Sequence, residues 1–268
     1  MTLTKDNYYS MDANIEYMSA SQFKDFMKCE REALAKITGD YVEEQTKAML
    51  VGAYVDAYFS NEMEEFIAKN PQIFKKDGTL LKDFERANEI IQTIENDPML
   101  MEYLNGEHQV IMTGEISGVK FKIKIDALLK GCIVDQKIMS SIADLIWVED
   151  ENGFSHKVDF VQAYGYDIQG AIYQEIVRQN IGKKLPFVLA VTTKEECPDK
   201  ALIMIDQYYL DKALQLVKDN CEHFDFIKKG IVLPKGCGKC PTCRKTKMVK
   251  GVISYKDLFG KEIENEND

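Results

Sequence analysis

Residues 119 to 137 read VKFKIKIDALLKGCIVDQK, with Val119, Phe121, Ile123 and Ile125 alternating against Lys120, Lys122, Lys124 and Asp126. A period of two would scatter the apolar set around a helix, so the stretch is a strand with one apolar and one polar face. EISGVK before it and LLKGC after it are tight connections carrying Gly118 and Gly131, which predicts a meander of about three strands over residues 109–138. The same pattern places chemistry. Asp126 lies on the polar face, and on the next strand Asp135 and Lys137 are two apart and share a face. If the strands are hairpin neighbours, the three groups converge on one small volume. A hard cation such as Mg²⁺ or Mn²⁺ takes carboxylates, water and substrate phosphate as ligands, and an ammonium beside it can orient a nucleophilic water. Asp and Lys at this spacing are also ordinary surface residues, so the strand alone leaves both readings open.

Around this meander the chain changes period. MSASQFKDFMKCEREALAKITG predicts one helix, with Ser19 and Gln22 as a capping box, Phe23, Phe26, Met27 and Leu34 at helical spacing, Cys29 inside and Gly39 at the end. A second helix is expected in TKAMLVGAYVDAYF and a third in KDFERANEIIQTIEND, where Ala87, Ile90, Ile91 and Ile94 form the buried stripe. Residues 1–105 are therefore mostly helical. Over 106–206 the meander is followed by one long helix, DFVQAYGYDIQGAIYQEIVRQNIG, and by the strands PFVLAVTT and ALIMID. On that helix Gln162, Tyr166, Gln169 and Tyr173 recur at i, i+4, i+7 and i+11, a single polar and aromatic stripe. A helix from about Gln207 to Lys229 and a cysteine-rich stretch fill 207–258, and the acidic KEIENEND at 259–268 reads as a frayed tail. The expected class is α/β in the broad, α+β sense: one domain over 1–268, a central mixed sheet flanked by helices.

The formal charge of −10 argues against a protein that coats nucleic acid nonspecifically. No apolar run is long enough to cross a membrane, and MTLTKDNYYS lacks a signal-peptide layout, so a cytoplasmic location is expected. In that compartment a cluster among seven cysteines points to metal rather than disulfides. GCGKCPTCRK places Cys237, Cys240 and Cys243 at C-x₂-C-x₂-C spacing, one ligand short of tetrahedral zinc or a four-iron cluster. A zinc knuckle would take His223 or Cys221 as the fourth. Cys132 and Cys197 read as packed or free thiols. His108, His156 and His223 show no paired spacing, which removes support for a histidine-based triad. Glu115 is a further acidic candidate on the strand before Asp126. Lys120, Lys122, Lys124, Lys194, Arg244, Lys245 and Lys247 would together line a basic groove for DNA.

IDALL followed by IVDQK resembles the PD-(D/E)XK nuclease core of RecB-like and RecE-like exonucleases, and GYDIQGAIYQ resembles the Q-x-x-x-Y helix motif of that branch. The resemblance implies a restriction-endonuclease-like fold in which Asp126, Asp135 and the Gln136 carbonyl bind Mg²⁺ or Mn²⁺. Lys137 orients the attacking water, while Gln169 and Tyr173 hold the DNA strand. The family's helix before the sheet offers a His in a pattern like G-x-x-x-H, and GAYVD has Asp56 there. A carboxylate also ligates these cations, so Asp56 joins the implied ligand set. The usual DLKT is DQKI, which removes only a Thr hydroxyl. Ser19, Ser21 and Cys29 match the opening of RecB-like nucleases with a [4Fe–4S] cluster, which makes Cys29 the implied fourth ligand beside Cys237, Cys240 and Cys243. The implied activity is metal-dependent exonucleolytic resection of DNA ends for phage-type homologous recombination, encoded by a phage or prophage. Ring-shaped homo-oligomers and a single-strand annealing recombinase as partner go with it. Two other classes compete: a catalytically silent nuclease fold that binds DNA or inhibits, and a metal-cluster protein without nuclease activity.

Overall fold

The computed structural model describes residues 1–149, 153–249 and 251–255; the expected acidic tail lies outside them. The chain opens with α1 (Met11–Glu16), α2 (Ala20–Lys28), α3 (Glu30–Thr38), α4 (Lys47–Phe59), α5 (Met63–Lys69), α6 (Lys82–Glu95) and α7 (Pro98–Leu104). The meander follows as β1 (Glu107–Ile116), β2 (Val119–Leu128) and β3 (Ile133–Met139). A separate hairpin of β4 (Ile146–Glu149) and β5 (Ser155–Val158) precedes α8 (Phe160–Ala163) and α9 (Tyr166–Ile181). Then come β6 (Phe187–Thr193), β7 (Lys200–Met204), α10 (Gln207–Lys228) and α11 (Pro241–Lys245).

The main sheet has the order β1-β2-β3-β6-β7, with β3 and β6 parallel and every other pair antiparallel. A parallel pair needs a crossover, and α9 supplies it. β6 is buried at all seven positions, which is why its sequence runs apolar without alternating. One side of the sheet packs Phe121, Ile123 and Ile125 against Ile172 and Ile176 of α9, Val217 and Phe224 of α10, and Phe23 and Phe26 of α2. The other side presents the small Ala127, Val134 and Ala190 to Val55, Ile90 and Leu100 of the amino-terminal helices.

β2 keeps the period of two only as far as the site. The residues facing the first core are odd-numbered up to Ile125, then even-numbered from Leu128, so the alternation slips across Asp126. Opposite that slip Gln109 has φ +54°. Such local irregularities re-aim a side chain that regular pleating would point elsewhere.

Two expected helices are each broken in two. Cys29 has extended backbone (φ −164°, ψ 109°) and serves as the last cap of α2 and the first of α3. Ser19 caps α2 by accepting from the Gln22 amide, but the Gln22 side chain reaches the Asn14 carbonyl instead of closing the box. The long helix after the hairpin breaks at Gly165, which is left-handed (φ +61°). Gln162 therefore falls outside the expected stripe, and its amide pairs with the α8 cap Asp159.

Candidate active site and cysteine centre

The β2–β3 ladder runs through Leu128–Ile133 and Ala127–Val134, then the strands part. At the next rung Asp126 Oδ2 accepts the backbone N–H of Gln136 at 2.9 Å. A strand residue turns its N–H and C=O to the same edge, so the Gln136 carbonyl faces the same gap. Asp135 is 2% exposed; its Oδ1 accepts Gln169 Nε2 at 2.6 Å and its Oδ2 lies 2.5 Å from Lys137 Nζ. Asp56 reaches the spot from α4, with Gln109 Nε2 3.5 Å from its Oδ1.

Crowding of buried carboxylates shows in their proton affinity. Burial, then the charges of Asp135 and Asp56, push the Asp126 carboxyl well above its usual range. Burial also raises Asp56, with Lys124 and Lys137 opposing. For Lys137 burial acts downward, but Asp135 and Asp126 outweigh it and hold the ammonium charged. Three converging carboxylates, a backbone carbonyl and no soft donor form the oxygen-only set that Mg²⁺ or Mn²⁺ takes, and a divalent charge would relieve their repulsion.

Asp56, Asp126 and Lys137 form a wall common to two openings. On one side is a cavity of about 370 Å³ bounded by Tyr8, Tyr9, Lys124, Asp135, Gln169 and Tyr173. On the other is a cleft of about 650 Å³ between α4, the end of β3 and the α8–α9 junction. Gln169 and Tyr173 line the first cavity, yet their polar atoms are committed to the protein. Gln169 holds Asp135, and the Tyr173 hydroxyl donates to the Lys124 carbonyl at 3.0 Å.

The expected basic groove is only partly assembled. Lys122 is 1% exposed and donates to the Tyr8 carbonyl and Asn14 Oδ1; burial lowers its pKa to about 8. The amino-terminal segment thus covers what the sequence presents as a solvated strand face. Lys120 pairs with Glu16. Lys124 and Lys194 do line the two openings, whereas Glu115, Arg244, Lys245 and Lys247 line neither. No sequence motif marks Tyr8, Tyr9, Tyr164 or Gln109, which the packing of segments far apart in the chain brings to the two openings and to Asp56.

The second centre gathers Cys29, Cys237, Cys240 and Cys243, whose sulfurs all lie within 4.8 Å of one another. The extended backbone at Cys29 turns its thiol out of the helical path and toward the carboxyl-terminal loop. Its Sγ is 3.6 Å from Cys243 and 3.7 Å from Cys240, and it accepts the Cys237 amide at 3.4 Å. Cys237 Sγ in turn accepts the amides of Lys239 and Cys240. The loop docks on α3 through Arg31 N–H to the Lys235 carbonyl and Lys235 N–H to Glu30. His223 and Cys221 are not in this set. His223 Nε2 bonds Glu30 Oε1 at 2.8 Å, and Cys221 is buried against the Ile116 carbonyl. The set with Cys29 as fourth member, implied by the resemblance, is the one assembled, and the alternative knuckle around His223 or Cys221 is not.

A mixed sheet between helical layers, Asp126 and Asp-x-Lys on splayed neighbouring strands, and a four-cysteine metal-binding cluster define a PD-(D/E)XK-like nuclease fold. The chain belongs to the family described as "PDDEXK-like domain of unknown function (DUF3799)", whose profile matches residues 19–246. It is similar to a crystal structure from Eubacterium rectale described as a "Putative exonuclease". The two share 46% identity with a TM-score of 0.91 over 97% of this chain and 99% of that one. Comparison with curated proteins finds no match. Among the described residues no helix is long and apolar enough to cross a membrane.

Proposed function

We propose that this chain is a metal-dependent deoxyribonuclease that digests DNA from an end, acting as one nuclease unit over its length. The observation that carries the reading is the convergence of Asp56, Asp126 and Lys137 on the wall between two openings, with Asp135 beside them in the first cavity. Asp56, Asp126, Asp135 and the Gln136 carbonyl would hold Mg²⁺ or Mn²⁺. When bound, the ion lowers the pKa of a coordinated water and neutralises charge on the phosphate. Lys137, kept charged by its neighbours and 5.3 Å from the Tyr166 ring centroid, holds the attacking water and the phosphate oxygen in line. Gln169 and Tyr173 act as positioning residues: one fixes Asp135, the other fixes the strand that carries Asp126. The similarity to the Eubacterium rectale protein favours an exonuclease. The resemblance to RecE-like enzymes extends this to resection of ends for phage-type recombination, beside a single-strand annealing protein.

The cysteine centre we read as structural zinc. Tetrahedral Zn²⁺ with Zn–S near 2.3 Å separates its sulfurs by about 3.8 Å. The closest contacts here, 3.6 and 3.7 Å, match that edge, and all four sulfurs lie within 4.8 Å of one another. The [4Fe–4S] cluster implied by the resemblance is the less favoured occupant.

The nuclease reading is tested by end-labelled linear and closed circular DNA incubated with Mg²⁺ or Mn²⁺. The wild type should degrade the linear form alone. Asp135→Ala should abolish activity, and Lys137→Ala should lower it at least ~10²–10³-fold, as for loss of one preorganised charge-stabilising group. A metal-replete wild type that cuts neither DNA removes the catalytic reading and leaves a silent nuclease fold.

A further inference from the structure

Gly52 sits in the interior of α4, where glycine costs stability relative to almost any other residue. Its φ is not in the left-handed region, so no turn demands it. A Cβ built there meets nothing within 4 Å, so packing does not demand it either. Gly52 lies one turn before Asp56 on the same face of the helix, and both line the 650 Å³ cleft. The missing side chain leaves open space immediately beside the acidic cluster.

A second observation points independently to a ligand. Gln136 is 9% exposed and borders the same cleft, yet its side-chain Nε2 has no hydrogen-bond partner. Leaving such a buried donor unsatisfied is costly, and the usual resolution is a bound group with an acceptor oxygen. Across the cleft Tyr164 is 44% exposed, its ring 5.7 Å from that of Tyr166. Lys194 reaches the rim, where its ammonium donates to the Ala48 carbonyl and keeps two further protons for a phosphate.

We propose that this cleft seats one nucleotide of the single strand that flanks the bond to be cut. Its base stacks on Tyr164, its phosphate oxygens accept from Gln136 Nε2 and Lys194, and its sugar packs against the bare backbone at Gly52. The volume falls within the ~300–1,000 Å³ of small-ligand sites, enough for a single nucleotide. Aromatic stacking beside a cation is how proteins hold a single strand without reading its sequence. The inference rests on the nuclease reading for what lies next to the cleft, but its test does not need cleavage.

The experiment is fluorescence quenching of 2-aminopurine in a short single-stranded oligonucleotide, titrated with protein in buffer without added divalent cation. Wild type and Tyr164→Phe, which keeps the stacking ring, should bind alike, and Gly52→Ala should fall between the wild type and Gly52→Leu. Gly52→Leu, which fills the cleft, and Tyr164→Ala, which removes the stacking face, should each bind about tenfold more weakly. Neither should melt below the wild type. If Gly52→Leu melts early, the exposed Tyr164→Ala decides alone. Equal binding by a folded Gly52→Leu and by Tyr164→Ala overturns the proposal, even where the wild type cuts DNA. Gly52-dependent binding by a wild type that never cuts would retain the seat and remove the nuclease.

Discussion

Asp135 has both carboxylate oxygens spoken for, one by Gln169 at 2.6 Å and one by Lys137 at 2.5 Å. Gln169 and Tyr173 match the motif that sequence resemblance assigns to gripping DNA, but their polar atoms point at Asp135 and at the Lys124 carbonyl. Supporting hydrogen bonds of this kind orient a metal ligand, and losing one typically costs ~10–100-fold in metal affinity or activity. Gln169→Ala should therefore shift the Mn²⁺ dependence of cleavage by that factor and destabilise the fold by about 1–3 kcal/mol, because it orphans a buried carboxylate oxygen. Metal titration of the cleavage rate, with a denaturant melt beside it, reads both. A variant that loses strand affinity with its metal dependence intact would make Gln169 a strand contact instead. The motif's residue types were legible in the chain. Their direction was not, because it depends on how far α9 stands from β3.

Glycines on two helices make opposite use of the missing side chain, and both uses position the site. On α9 a Cβ at Gly170 would come within 2.6 Å of Phe187 Cδ1 and 2.9 Å of Leu210 Cδ2, so glycine there lets α9 settle onto β6 and α10. That close seat brings the neighbouring Gln169 to Asp135. On α4 the space at Gly52 is empty. Gly170→Ala should cost about 1–3 kcal/mol by overpacking, whereas Gly52→Ala should gain up to about 1 kcal/mol of helix propensity. Urea midpoints for the two variants should move in opposite directions, and movement in the same direction would refute this packing account. Sequence periodicity found both helices and could not tell the glycines apart. One expected helix was really two, α2 and α3, since Phe23, Phe26 and Leu34 keep helical spacing across a break that only the pull of Cys29 toward the cysteine centre explains.

At the scale of the molecule, the cysteine centre ties Cys29 to Cys237 across 208 residues. By chain-entropy arguments, closing a loop of that length restricts the unfolded chain by on the order of 5 kcal/mol. Chelation or Cys29→Ser should lower the melting temperature markedly, and Cys132→Ser or Cys197→Ser, outside the centre, should not. Elemental analysis should return a single zinc per chain without a broad visible band; iron and sulfide with that band would restore the cube. Local pattern determined a good deal here. A period of two fixed β2 as far as Ile125, the uninterrupted apolar run fixed β6, and the two-residue spacing of Asp135 and Lys137 fixed that they share a face, because these follow from backbone geometry over a few residues. The family resemblance already implied Cys29 as the fourth cysteine and Asp56 beside the other aspartates. Tertiary structure alone decided that Lys122 is buried beneath Tyr8 and Asn14, that Gln169 and Tyr173 turn their polar atoms to Asp135 and the Lys124 carbonyl, and that Gln109 reaches Asp56. Each of those is a meeting of residues far apart in the chain, set by how helices pack on the sheet, and no local pattern carries that information.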